Sequence, residues 1–490
     1  MTDPKPEFIP KRYWGYLALL LWGAIALFLL RQGPYALDEG AAKALLLDWS
    51  IGDQVANSAV TLGTPDMRAL LWLPLGFLWP GQVFAAKVVT VLILVATAAG
   101  LFLWRRSQGT EEEALLATGL LLVAPLTLQQ VDMLSPGVVL LASFVAGAWL
   151  DRAYRQTPRT YGGLFFAQLA VCAFSVSVHP AGLAYPLALV WTWRTQPLDR
   201  HQQRAFYIGV AFVTLLTLLL RMGWHDLGTW QNPVASAAAM LWGPNLQGGD
   251  PALYEWVSGL LLLGLLLAVI AHERRALWGD LMGRNLLLGV IFGGGLCDAT
   301  WGFLGLALLL YGGLPWLLKP RALLMRQGFL VQRGWVWVLL LVFSTIAMRA
   351  DRTWYQEARN EMLSDQDQLI RTFADDVEQG RKLMEEKNQP LPRIRVASQW
   401  PARTMIACRC DALPLPPAAK DPQTQLAMLR GLSHLMLAPS ASKNLGLSEN
   451  LALLGTEVET VSLQPGGVIL KVKVPAMAPA SGAPTPGSAP

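Results

Sequence analysis

The sequence predicts an all-α polytopic membrane protein of about eleven helical spans, with a small extracytoplasmic α/β domain at its C-terminus. Two observations predict it. Of 490 residues, 53% are hydrophobic and only 15% charged, with a mean hydropathy of +0.38, whereas soluble chains carry about a quarter charged residues. The deficit is also local. Between Tyr13 and Met348, apolar blocks alternate with short charged loops, and from Arg349 onward the composition is that of an ordinary soluble protein.

Apolar runs able to span fall near 14–31, 83–104, 114–130, 137–150, 164–178, 181–194, 205–221, 255–271, 285–297, 302–318 and 335–348. Several are shorter than the ~20 residues of a full crossing, so their ends extend into the interfaces. The first run follows Lys11 and Arg12 without a small-residue cleavage site, and is expected to stay as an anchor. With the N-terminus inside, the inner loops carry eighteen Lys and Arg, against four (Arg31, Lys43, Arg68 and Arg221) in the outer ones. That asymmetry follows the positive-inside rule. An odd number of spans then leaves the C-terminal segment outside. The same placement accounts for the net charge of +5, and no basic stripe with interleaved aromatics points to nucleic acid.

The expected domains are a transmembrane domain, 1–349, with a long first outer loop at 31–82; an α/β domain, 350–475; and a disordered Ala/Pro tail, 476–490. In the first outer loop, Ala41 to Trp49 reads as an amphipathic piece. Leu70 to Trp79, too short to span, suits the interface with its Trp and Pro. A second long outer loop runs from Met222 to Tyr254. In the C-terminal segment, Arg352 to Glu386 reads as a polar helix, and Arg393 to Ala397 and His434 to Pro439 as strands. Val458 to Val474 reads as a hairpin turning at Pro465-Gly466-Gly467. Cys172 and Cys297 lie in apolar runs as packing residues. Pairing of Cys408 with Cys410, one residue apart, would close a very small, strained ring, so no metal site and at best a weak redox role is expected of them.

Candidate chemistry gathers at the outer ends of spans. Asp38 and Glu39, in Leu37-Asp38-Glu39-Gly40, follow the first span. A carboxylate there acts as a general base toward an acceptor hydroxyl or helps hold a divalent metal; the ordinary alternative is a cap for the next helix. Asp132, before Ser135-Pro136, offers a third carboxylate, either facing a partner or capping the following span. His179, in Ser177-Val178-His179-Pro180-Ala181-Gly182, is a ligand or base in one reading and a packing residue in the other. Arg31, Lys87 and Arg221 either hold an anionic phosphate or snorkel to headgroups. Asp298 and the His225-Asp226 pair sit at the same outer level without diagnostic spacing. No nucleotide-binding loop, zinc-protease motif or nucleophile elbow is present.

An inside N-terminus, an acidic pair directly after the first span, a long outer loop with interfacial helices and an outer C-terminal domain together resemble the GT-C superfamily of polyprenyl-phosphate-sugar-dependent glycosyltransferases. The likeness is nearest to the branch of lipid A aminoarabinose transferases and protein O-mannosyltransferases. It rests on Leu37-Asp38-Glu39-Gly40, on Asp132 before Ser135-Pro136 and on the hairpin around His179. The branch often has an arginine beside its second acidic motif and a lysine in the hairpin, and this chain has neither.

The resemblance implies sugar transfer from a polyprenyl-phosphate-linked donor to a lipid, glycan or protein acceptor, on the outer face of a bacterial inner membrane. Asp38, Glu39 and Asp132 would be catalytic. Arg31, Lys87, Arg221 and His179 would hold the donor phosphate, with or without a divalent metal ion. A transporter or flippase for lipid-linked sugars is the alternative, although polar groups here collect at one membrane face rather than at mid-depth. A non-catalytic scaffold in envelope polysaccharide assembly is a third reading.

Overall fold

The computed structural model describes residues 14–31, 33–50, 67–79, 81–109, 111–156, 162–195, 200–220, 232–242, 252–272, 274–313, 363–390, 394–438, 445–454 and 457–473, with scattered positions between 341 and 356. The chain divides into two compact units. The first comprises Met1–Gln32, Asp66–Leu75 and Gln82–Glu361, and the second Gly33–Pro65, Gly76–Gly81 and Met362–Pro490. Thus most of the first outer loop clusters with the C-terminal segment and not with the spans that flank it. The expected span at 335–348 and the disordered end fall largely or wholly outside the described residues.

The first unit is helical among its described residues. It holds α1 (Trp14–Leu29) and then, beyond the outer loop, α4 (Val83–Arg106), α5 (Glu111–Val123), α6 (Pro125–Asp132) and α7 (Pro136–Gln156). These are followed by α8 (Gly163–Val178), a 3-10 turn (Pro180–Leu183), α9 (Ala184–Thr195), α10 (Arg200–Leu220), α11 (Pro233–Trp242), α12 (Leu253–His272), α13 (Arg274–Gly279), α14 (Leu281–Gly293) and α15 (Ala299–Leu308). Helices α2 (Glu39–Ser50) and α3 (Ala69–Leu78) arise in the loop itself, where the amphipathic and interfacial pieces were expected.

Among the described residues, four helices, α4, α7, α10 and α12, are long and apolar enough to cross a membrane alone. A fifth crossing is available if α5 and α6 are one span bent by 56°. The bend falls at Pro125, which has no amide hydrogen to continue the ladder. The rest are apolar but shorter: the 16 residues of α8 cover about 24 Å at 1.5 Å per residue, less than a hydrocarbon core of ~30 Å. The count of eleven is therefore not reached by length alone.

The exposed side chains of α10 include Ile208, Phe212, Leu215, Leu219 and Leu220, as expected of a helix facing lipid. The interior is closed by Phe144, Tyr185, Trp193, Phe206 and Phe303, all essentially inaccessible. One expectation is corrected here. The stretch 222–254 is not loop throughout, because α11 forms within it. Asn232 accepts the Val234 amide at 3.0 Å, Pro233 occupies the first turn, and Val234 and Ser236 to Met240 are buried.

The second unit has a five-stranded sheet in the order β2-β1-β3-β5-β4. Strands β1 (Arg395–Ser398), β2 (Asp411–Pro414) and β3 (His434–Leu437) are parallel; β3 pairs antiparallel with β5 (Gly467–Val472), which forms a hairpin with β4 (Val458–Gln464). The long helix α16 (Asp365–Glu386) buries Leu369, Ile370, Phe373, Ala374 and Val377, a stripe at helical spacing. Ser364 caps it, accepting from the Asp367 amide at 3.2 Å. Its described residues also form α2 and the shorter helices α17 (Pro401–Cys408), α18 (Pro422–Leu429) and α19 (Leu445–Leu453).

Cys408 and Cys410 form a disulfide despite the small ring that it closes. The intervening Arg409 has φ +49°, in the left-handed region, and this turn brings the two Cα atoms to 5.3 Å. Arg381 fixes it from α16, donating to the carbonyls of Cys408 and Arg409 at 3.1 and 2.7 Å.

Candidate active site

In the first unit, Asp132 ends the short helix α6, all eight residues of which are buried. Its Oδ1 accepts from Lys87 Nζ at 2.7 Å and from the Arg31 amide at 3.1 Å. The Arg31 guanidinium Nε lies 3.8 Å from Oδ2. Lys87, early in α4, also donates to the Arg31 carbonyl at 3.0 Å. Lys87 and Asp132 are both fully inaccessible. A charge so buried persists only when paired, and here the pairing joins α4, α6 and the end of α1.

Sequence left open whether Asp132 caps the span beginning at Pro136. It does not, because Gln130 Oε1 takes the Gly137 amide at 3.1 Å. Snorkelling is likewise ruled out for Lys87, whose head lies inside the fold. A further cation joins this end of the helices. Arg68, buried at 3%, donates to the Leu134 carbonyl at 2.9 Å, in the turn just after Asp132. Arg68 was visible in sequence only as an outer-loop charge.

His179 lies elsewhere in the same unit, between α8 and the 3-10 turn. Its Nδ1 accepts the Ala181 amide at 3.1 Å and its Nε2 meets Asp298 Oδ2 at 3.0 Å. An accepting Nδ1 leaves the ring proton on Nε2, pointing at Asp298. Asp298 in turn caps α15 through the Trp301 amide at 2.8 Å. Gly182 is needed because a Cβ there would lie 1.8 Å from the Ser175 carbonyl oxygen. Asp298 had no diagnostic spacing, since its partner is 119 residues away.

In the second unit, the acidic pair divides its work. Asp38 Oδ2 accepts the Ala41 amide at 3.2 Å, capping α2, so the ordinary alternative for this residue is realised in the geometry. Glu39 turns to α17, accepting the Ala402 and Arg403 amides at 2.7 and 3.2 Å. Burial raises the pKa of Glu39, against the Ala402 amide, the Arg403 charge and amide, and Lys43. Asp367 accepts the Ala36 amide at 3.1 Å and pairs with the Arg403 guanidinium. Burial pushes Asp367 up, but Arg403, the Ser364 hydroxyl and the Ala36 amide outweigh it and hold its pKa below the usual value.

Arg221 and His225-Asp226 lie outside the described residues. Among the described residues, no three His, Cys, Asp or Glu side chains form a group that would hold a metal ion.

No family model matches the sequence, and no curated protein matches it. Solved structures do. ArnT from Cupriavidus metallidurans bound to undecaprenyl phosphate aligns over 93% of this chain and 97% of its own, at 13% identity and a TM-score of 0.54. The apo state of the same protein aligns over 94% and 98%, at 12% identity and the same score. The chain shares its fold with these ArnT structures.

This fold brings Lys87, Arg31 and Asp132 together in one unit and ties Asp38 and Glu39 into the other. Residues that sequence reasoning missed are Arg68, Asp367 and Arg403. The last two stand 331 residues beyond Ala36 and 364 beyond Glu39, and no local pattern marks them.

Proposed function

We propose that this chain is a membrane glycosyltransferase, moving a sugar from a polyprenyl-phosphate-linked donor to a lipid, glycan or protein acceptor. The observation that carries this is the buried Lys87–Asp132–Arg31 cluster within a GT-C fold. Two formal cations face one carboxylate there, so the set keeps an excess positive charge suited to an anionic phosphate.

In this reading Arg31 holds the donor phosphate and Lys87 joins it by exchanging its buried Asp132 contact, Asp132 orienting both cations until then. Arg221 and His179 remain candidates for the same phosphate; His179 would reach it by exchanging its Asp298 contact. Asp38 takes the proton from the acceptor hydroxyl, whose oxygen attacks the anomeric carbon. The bond from that carbon to the phosphate oxygen breaks, and polyprenyl phosphate leaves with its charge balanced by Lys87. Glu39 belongs to the same loop in a supporting role.

About eleven spans are proposed: α1, α4, the bent α5–α6 pair, α7, α8, α9, α10, α12, α14, α15 and the apolar run at 335–348. The short ones reach across with interfacial turns. The basic loops argue for an inside N-terminus. A Cys408–Cys410 disulfide argues independently for a C-terminal segment on the oxidising side, as in a bacterial periplasm.

The test uses purified full-length protein in nanodiscs, with a panel of polyprenyl-phosphate sugars and undecaprenyl phosphate as a binding probe. Turnover of one donor, with competition by undecaprenyl phosphate, is expected. Failure to bind any polyprenyl phosphate would sink the proposal.

A further inference from the structure

Helix α17 begins without a cap of its own. Trp400, at its N-cap position, makes no side-chain bond to it, and Pro401 has no amide hydrogen. The next two amides, Ala402 and Arg403, are the first donors the helix end presents. Both are taken by the carboxylate of Glu39, a residue 363 positions earlier in the case of Ala402. A carboxylate on helix N-terminal amides is a strong, charge-assisted contact.

A second tether acts three residues upstream. Asp367, in the first turn of α16, accepts the Ala36 amide, the Ser364 hydroxyl and the Arg403 guanidinium. Ala36 has φ +61°, a left-handed conformation uncommon outside glycine, and such backbone persists only where its surroundings impose it. Leu37 is buried at 1%. The residues flanking Asp38 are therefore fixed: Ala36 by Asp367, Leu37 by packing and Glu39 by α17. Asp38 is half-exposed between them. Arg403 links the two tethers, giving its amide to Glu39 and its guanidinium to Asp367.

We propose that α17 and the Asp367–Arg403 pair are positioning devices for the acidic loop, so that Glu39 is a positioning residue and the C-terminal segment is required for Asp38 to act. This rests on the glycosyltransferase reading for its consequence in activity, but not for the clamp itself. Without the C-terminal segment, the loop carrying the base loses both the Glu39 and the Ala36 tethers.

The experiment compares full-length wild type, Glu39→Gln and Arg403→Met in nanodiscs by hydrogen exchange, alongside sugar transfer. Glutamine keeps one acceptor oxygen where two amides need partners, and methionine removes the guanidinium at similar length. Exchange at amides 36–42 should rise about tenfold or more in each variant, while amides of α4 and α7 stay unchanged. Transfer should fall about tenfold in kcat with the donor KM unaltered, because phosphate binding lies in the other unit. Unchanged exchange over 36–42 would overturn the clamp whatever the transfer rate. Faster exchange with undiminished transfer would overturn the positioning role, provided Asp38→Asn is inactive. An active Asp38→Asn would instead count against the functional reading, and the exchange result would still decide the clamp.

Discussion

In the first unit a carboxylate is neutralised by side-chain cations deep among apolar helices; in the second, carboxylates are held largely by backbone amides at helix ends. Asp132 meets Lys87 where neither reaches solvent. Glu39 meets two amides of α17, and Asp367 meets one from Ala36. The first arrangement is costly to build and to break, since each charge is buried only because the other is present. The second is a positional device. Amides cannot rearrange as side chains do, so a carboxylate bound to them fixes where a loop runs. A phosphate site needs the former kind of charge, and a loop presenting a base needs the latter kind of precision.

The largest effect is expected at Lys87. Lys87→Met leaves Asp132 buried without its nearest cation, and breaking such a pair costs about 3–5 kcal/mol. A marked fall in the detergent-solubilised Tm and loss of polyprenyl-phosphate binding are expected. The double variant Lys87→Met/Asp132→Leu removes both charges and should recover much of the stability while binding stays lost. Recovered binding in the double variant would make the pair purely structural.

At Asp38 the effect is on rate alone. Asp38→Asn keeps the cap on Ala41, because Asn caps about as well as Asp. Stability should hold while transfer drops by about a hundredfold, the scale of a lost general base. Near-normal turnover would leave Asp38 as the α2 cap and nothing more.

Much of the first unit was legible because membrane spans announce themselves by composition, and ten of the eleven apolar runs coincide with described helices. Lys87 stood out as a charge inside an apolar run, and Asp132 as a carboxylate in the turn between two of them. Their pairing was not legible, since it joins helices 45 residues apart. The strands β1 and β3 followed from short apolar runs, and the final hairpin from its β-branched residues and the Pro465-Gly466-Gly467 turn. Helix α11 and the Cys408–Cys410 bridge did not. The former is a short helix surrounded by loop-like composition, and the latter depends on a left-handed Arg409 that no residue type at that position foretells. The tethers on Glu39 and Asp367 are tertiary through and through.

A smaller effect sharpens the comparison within the second unit. Asp48, in α2, is buried at 1% and, among the described residues, neither of its oxygens has a hydrogen-bond partner. Burial pushes its pKa up to about 7 from an ordinary 3.8. The folded state thus holds a proton that the unfolded chain releases. This contribution to stability is full below about pH 4 and is lost as pH rises through about 7. Asp48→Asn should flatten that dependence, gaining on the order of 1–3 kcal/mol at pH 8 relative to pH 5. Denaturation of both proteins at the two pH values measures it, and parallel pH profiles would show that Asp48 is solvated.

The smallest change expected is at Cys408 and Cys410. A bridge across one residue closes so short a loop that removing it should cost only about 1–2 kcal/mol by the loop-entropy estimate. Its information lies in compartment rather than stability. Cys172 and Cys297 are free and buried in the first unit, so an unfolded, unreduced protein offers two thiols to an alkylating agent and a reduced one offers four. Intact mass after alkylation of protein purified from the membrane distinguishes these counts directly. Two alkylated thiols without reductant mean that the C-terminal segment matured where disulfides persist, on the side opposite the basic loops. Four would place it with the reducing compartment, and the sugar-transfer face would have to be sought on the other side of the membrane.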